Sequence, residues 1–205
     1  MAEEYGAHVT MITLSEDQCV YARDKMCTNL RRGSVEVLLL DYRDIRKQDK
    51  NTFDRIVSVG MFEHVGVNFY GVFMRAMYRC LASGGIFVLH TIGGRGQPDP
   101  WIDKYIFPDG TLPTRIQIEN AIFGLFNAWD WHEIGKNYAP TLRAWYDNFH
   151  DGWPEIRGSK YDEVFYRMWR YYLLVCSGLF KAGRTDVWQI VLSKHGRPAD
   201  YQQIR

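Results

Sequence analysis

Three apolar runs, VEVLLLD at 35–41, FDRIVSVG at 53–60 and IFVLHTI at 86–92, constrain this chain more than any other feature. Each shows little alternation, the pattern of a strand in a parallel sheet covered on both faces. A fourth strand is predicted from about His8 to Leu14 in HVTMITL. Between these runs the spacing turns helical. Ser15 and Gln18 fit a capping box, and Cys19, Ala22, Met26 and Leu30 recur at helical spacing towards a stop near Gly33. A second helix is predicted from about Phe69 to Leu81, ended by the SGG at 83–85. Further helices are expected near 114–126, 138–150 and 161–181, and TDVWQIVLSK at 185–194 alternates like a final strand. Strands and helices in alternation define an α/β chain with a doubly wound, mostly parallel, Rossmann-like sheet.

A length of 205 residues suits one domain, expected over 1–194, with GRPADYQQIR from 195 as a tail. The stretch GGRGQPDPWIDKYIFPDG at 93–110 is rich in Gly, Pro and Asp without any period, and reads as a loop or lid rather than an interdomain linker. MAEEYG at the start reads as the end of a helix stopped at Gly6. Charge is balanced, with 25 Lys and Arg against 24 Asp and Glu, so the total gives no reason to expect a nucleic acid partner. The four cysteines, at 19, 27, 80 and 176, have no CxxC spacing and follow no secretory signal; no metal site or disulfide framework is indicated, and a cytoplasmic setting is expected. No run approaches the roughly 18 apolar residues of a membrane span, which leaves peripheral association. All seven tryptophans lie at or beyond position 101, so the second half is built around something large and apolar or as a thick aromatic core.

Several residues carry chemistry. In SVGMFEHVG (58–66), Glu63 and His64 stand just beyond a predicted strand, where open parallel sheets bind ligands; a helix-entry acid or solvated turn residue is the commoner reading of Glu63 from the residues alone. His90 interrupts IFVLHTI, costly in an apolar strand unless something hydrogen-bonds it, be it a ligand or the backbone. Tyr138 precedes a helical stretch and suits either a hydroxyl in a site or a buried aromatic anchor. Cys176 lies on an apolar helix, the usual place of a buried, inert thiol.

The runs FDRIVSVGMFEHVG, GGIFVLHTIG, PWIDKYIFPDGTLP, NYAPTLRAWY and YYLLVCSGLF, in that order, resemble the cyclopropane-fatty-acyl-phospholipid synthases and their mycolic acid relatives, from about Tyr5 to Lys194. The resemblance implies the class I methyltransferase fold and transfer of a methylene unit from S-adenosylmethionine to a cis double bond of a phospholipid acyl chain. The intermediate carbocation then loses a proton to a bound bicarbonate ion as the ring closes. It implies Glu63, His90, the N–H of Ile92 and Tyr138 as ligands of that ion, with Cys176 near the pocket and not a nucleophile, and His64 as a packing or orienting neighbour of Glu63. Thr13, Leu14, Gln18, Tyr42 and Arg43 match the positions that hold the cofactor's ribose and adenine. For Tyr42 a surface aromatic and for Gln18 the capping box are alternative roles. The aromatic residues Trp101, Tyr105, Phe107, Trp129, Trp131, Trp145 and Trp169 suit an acyl tunnel, a few of them touching lipid, or a helical core; insertions at about 93–127 and 136–182 would carry lid and tunnel. A rim of Arg143, Arg157, Lys160 and Arg167 suits a membrane surface or an ordinary solvated face. Homodimer formation stays open.

Family members carry a glycine-rich loop of the type GCGWG after their first strand, and this chain begins beyond it. The resemblance therefore implies an N-terminally truncated form, lacking a strand that lies between those at 8–14 and 53–60. Strands sit about 4.8 Å apart, so its loss leaves two unpaired edges or a sheet closed across roughly twice that gap, and weak folding is expected. A methyltransferase for another acceptor, such as an amine or sterol, and an inactive remnant are the alternatives.

Overall fold

The computed structural model describes residues 1–27, 30–45, 52–94, 99–158, 160–194, 196 and 201–202. The chain divides into two compact units, residues 1–50 and 51–205.

In the first unit, α1 (Ala2–Tyr5) stops at Gly6, whose left-handed φ of 68° a side chain would strain, and the chain enters β1 (His8–Thr13). Helix α2 (Glu16–Met26) begins where the Ser15 hydroxyl accepts the Gln18 N–H at 3.2 Å. It ends short of the expected run to Gly33, of which residues 28–29 lie outside the described ones. β2 (Ser34–Leu39) pairs in parallel with β1, from His8 opposite Ser34 to Thr13 opposite Leu39. Cys19 and Ala22 of α2 bury themselves against Val37, with Met11 and Val35 alongside, so the helix packs its apolar face on this two-stranded sheet.

The second unit holds β3 (Phe53–Val59), α3 (Tyr70–Cys80), β4 (Leu81–Gly94), α4 (Pro100–Tyr105), α5 (Arg115–Ile122), β5 (Asn127–Glu133), α6 (Gly135–Ile156), α7 (Glu163–Lys181) and β6 (Thr185–Ser193). Its sheet runs in the order β3-β4-β6-β5; β3 and β4 are parallel, and β6 is antiparallel to both of its neighbours. Three strands therefore point one way and β6 points back between two of them, so one of the three pairings is parallel and the sheet is mixed. One edge each of β1, β2, β3 and β5 has no strand partner among the described residues.

Alternation on β4 explains the layers. Phe87 and Leu89 are fully buried on one face, where Phe87 meets Phe73 of α3 and Phe126. Ile92 faces the other way, towards a core of Ala139 and Leu142 from α6, Leu173 and Phe180 from α7 and Val187 from β6.

Three local expectations need correction. The SGG at 83–85 does not end a helix; α3 stops at Cys80, and the glycines form an irregularity inside β4, where Gly84 has φ 75° and pairing jumps from Phe53–Leu81 to Arg55–Ile86. The loop at 93–110 contains α4, because Asp99 caps it through the N–H groups of Trp101 and Ile102 and Pro100 fits its first position. β5 was not expected. The helix expected at 138–150 spans Gly135–Ile156 despite Pro140 and Pro154, and most of the tail from 195 lies outside the described residues.

Candidate active site

Glu63 sits in a 3-10 turn (Phe62–His64) just after β3, held there by packing below it: Phe62 is wholly buried and stacks on Tyr70 at 4.1 Å. The turn is pinned from the opposite side, because the Thr111 N–H donates to the Glu63 carbonyl at 2.8 Å while the Tyr70 hydroxyl donates to the Thr111 carbonyl at 3.3 Å. The Glu63 side chain is 7% exposed. Its Oε1 accepts the Ile92 N–H at 2.6 Å, and its Oε2 is buried without a protein partner. Leaving a buried carboxylate oxygen unmatched is costly, so this atom calls for a donor that the described protein does not supply.

Glu63 opens onto a cavity of about 620 Å³ inside the second unit, within the roughly 300–1,000 Å³ range of ligand pockets. Ile92, Tyr138, Cys176, Phe107, Tyr172 and Phe180 share its wall. Tyr138 lies one turn into α6 between Trp145 and Phe180, at ring distances of 5.9 and 4.9 Å. Burial raises its phenol pKa, with smaller contributions from Glu63 and Cys176. Burial likewise pushes Tyr172 up to about 12 and Cys176 up to about 11, the latter helped by Asp99. All three hydroxyl and thiol groups therefore stay protonated near neutrality; Tyr138 is a donor there, and Cys176 is not a thiolate nucleophile.

The structure thus brings Glu63, Ile92, Tyr138 and Cys176 to one cavity. His90 is not among its lining residues: it lies two positions before Ile92 on the same face of β4, and its Nδ1 is 3.2 Å from the Gln189 amide nitrogen. His64 lines the cavity with its ring edge-on to Phe107 at 6.4 Å. Of the aromatic residues expected around an acyl tunnel, only Phe107 is in the wall; Trp129 donates to Ser193, Trp131 packs on Trp188 and Trp101 on Tyr171. Within the expected basic rim, Arg143 is engaged by Asp147 and Lys160 lies over its neighbour Tyr161.

Sequence reasoning passed over Asp99, Tyr172, Arg184 and Thr185, all in the wall. Asp99 carried a signal, the Asp-Pro pair of a helix start; Tyr172 and Thr185 lie in plain helix and strand patterns, and Arg184 in the turn between α7 and β6.

In the first unit, the ends of β1 and β2 are adjacent, so Thr13, Leu14 and Gln18 follow one strand end and Tyr42 and Arg43 the next, as in nucleotide-binding α/β sheets. The Thr13 hydroxyl donates to Gln18 Oε1 at 2.8 Å, and Leu14 is 70% exposed. Tyr42 is 8% exposed, which excludes the surface aromatic. Arg43 grips Asp41 through two nitrogens at 2.9 and 2.6 Å, and this hydrogen bonding holds the Asp41 carboxyl below its ordinary pKa.

No described helix is long and apolar enough to cross a membrane, and no group of three or more metal-ligating side chains occurs among the described residues. Comparison with known proteins gives a consistent picture. The chain is 45% identical over 197 residues to the cyclopropane-fatty-acyl-phospholipid synthase of Escherichia coli K12, an alignment covering 95% of this chain and 49% of that one. It therefore spans about half the length of that relative. Among solved structures, the cyclopropane synthase MmaA2 from Mycobacterium tuberculosis superposes with a TM-score of 0.84 at 27% identity, covering 94% of this chain and 72% of that one. The mycolic acid cyclopropane synthase CmaA1 complexed with SAH and CTAB gives 0.83 at 28% identity with the same coverage. The family model described as mycolic acid cyclopropane synthetase matches residues 1–190, and the chain belongs to that family.

Proposed function

We propose that this chain forms the catalytic half of an S-adenosylmethionine-dependent enzyme that adds a methylene unit to a cis double bond of a phospholipid acyl chain, working peripherally at a membrane surface. The observation that carries this reading is the Glu63 carboxylate: buried and half-paired, on a residue in the wall of a partly aromatic cavity, in a chain of this family.

The residues fit the two groups such chemistry requires. Glu63 Oε2 lacks a donor and Tyr138 has a protonated phenol, so together they suit a small anion that carries one O–H of its own, as bicarbonate does. When bound, that ion supplies the base for the proton released at ring closure. The Ile92 N–H, already donating to Glu63, fixes the carboxylate rather than standing free, and His90, outside the cavity wall and beside Gln189, is not assigned a ligand role. Apolar and aromatic walls exclude water, and the rings of Phe107, Tyr138 and Tyr172 offer π faces to a cationic centre. Thr13, Leu14, Gln18, Tyr42 and Arg43 would hold the nucleoside of S-adenosylmethionine, which supplies the one-carbon unit. The segments 93–127 and 136–182 contribute α4, α6 and α7 to the cavity and fit the acyl-binding insertions.

Expression in a host lacking its own synthase, joined to the N-terminal half of a relative, followed by analysis of membrane acyl chains, tests the reading. Cyclopropane acids are expected, and their loss in Glu63→Ala and Tyr138→Phe. Unchanged acyl chains would sink it in favour of another acceptor, and failure of the 205-residue chain to bind S-adenosylmethionine at millimolar concentration would leave it without its own cofactor half-site.

A further inference from the structure

β6 entered the sequence reading only as a final strand, yet two of its residues hold the entrance of α6. The Asp186 Oδ1 accepts the Gly135 N–H at 2.6 Å and the Val187 N–H at 2.7 Å, and the Val187 carbonyl accepts the Ile134 N–H at 2.9 Å. Gly135 is the first residue of α6, and its N–H is among those a helix cannot satisfy internally; a carboxylate from another element satisfies it and matches the positive end of the helix dipole. The fit leaves no tolerance. A Cβ on Gly135 would clash with Oδ1 and lie 2.8 Å from the Asp186 Cα and 2.9 Å from its Cγ, so only glycine admits this approach. Tyr138 follows three residues later, and a rigid first turn carries its phenol to the wall that Glu63 shares.

We infer that Asp186 is a positioning residue for Tyr138, acting through the Gly135 N–H to set where the phenol meets the cavity. This rests on the proposed role of Tyr138 in ring formation, but the geometry can be tested apart from it. The 205-residue chain is labelled with 3-fluorotyrosine, and among its 13 tyrosines the Tyr138 fluorine resonance is the one that disappears in Tyr138→Phe. Asp186→Ala and Gly135→Ala are each expected to shift or broaden that resonance, leaving most others in place. Asp186→Asn, which keeps an Oδ1 acceptor, is expected to restore it. An unmoved Tyr138 resonance in both alanine variants, a general displacement of the tyrosine signals, or an Asn variant as perturbed as Ala would each overturn the inference.

In the complemented strain, Asp186→Ala is expected to lower cyclopropane formation at least tenfold, Asp186→Asn no more than about threefold. Adding Asp186→Ala to Tyr138→Phe is expected to cost nothing further, whereas additive losses would mean that Asp186 acts elsewhere. Absence of ring product from the unsubstituted protein would defeat the functional reading, while the fluorine signals would still decide the positioning role.

Discussion

Gly93 lies between two cavity residues of β4, Ile92 and Gly94, and the indole of Trp188 lies against it. A Cβ placed there would fall well under 3.0 Å from three carbons of that ring. Carbon atoms rest about 3.5–4.0 Å apart, so the indole or the strand must give by ~1 Å or more. The ring has little room to move: Trp188 is 7% exposed and packs edge-on to Trp131 at 5.4 Å. Overpacking of a tight core costs about 1–3 kcal/mol, and a rigid ring trapped against backbone belongs at the upper end. Alanine recovers about 0.4–1 kcal/mol through the unfolded chain, so Gly93→Ala should destabilise by ~2 kcal/mol net. Trp188→Leu alone should also destabilise, by lost burial and a cavity, but the two changes together should cost at least ~1.5 kcal/mol less than their sum, because the smaller side chain vacates the space the methyl needs. Urea unfolding followed by far-ultraviolet circular dichroism measures all three. A Gly93→Ala protein within about 0.5 kcal/mol of the parent, or additivity within that margin, would refute the close-approach argument.

Glu63→Ala strands the Ile92 N–H and should cost about 1–3 kcal/mol in the same unfolding experiment, whereas Glu63→Gln keeps an acceptor there and should cost less than ~1 kcal/mol; equal losses would deny that this hydrogen bond matters. Stability should fall as pH rises through the alkaline range. Burial raises Cys176 from 9.0 to about 11, and Tyr70 and Tyr172 from 10.0 to about 12, so the native state retains protons that the unfolded chain has lost. The loss should begin near pH 9 and be complete only above about 12, and a urea midpoint unchanged between pH 8 and 11 would contradict it. Titration with sodium bicarbonate at constant ionic strength should move the Tyr138 fluorine resonance while the Ile92 amide proton stays near its starting shift, because the anion's own O–H answers Glu63 Oε2. A saturating shift of the Ile92 amide would show instead that the anion displaces the carboxylate.

Legibility in this sequence follows the range of the interactions involved. VEVLLLD, FDRIVSVG and IFVLHTI announce strands because their aliphatic, largely β-branched content is a local signal, but the expected cover on both faces holds only for β4: Leu39 of β2 and Val57 and Val59 of β3 are exposed. β5, NAWDWHE, is half exposed at the edge of its sheet, so its pattern mixes Asn, Asp and Glu with tryptophan and resembles no template strongly. α4 hides in a segment rich in Gly, Pro and Asp because a helix of six residues has too few turns to show a period; only its cap speaks for it.

The site divides along the same line. Glu63 could be singled out because the end of a strand is a place that the chain itself marks. Asp186 could not, because its carboxylate matters only through a glycine 51 positions earlier, a distance no local pattern spans. The relation of Glu63 to Ile92 was hidden for a subtler reason. The resemblance suggests two separate ligands of one ion, yet in the fold they face each other at 2.6 Å and satisfy each other. What Glu63 then offers is a single oxygen in a fixed direction, and a carboxylate so tethered is a better template for one O–H donor than a free one, since half of its rotational choices are already gone.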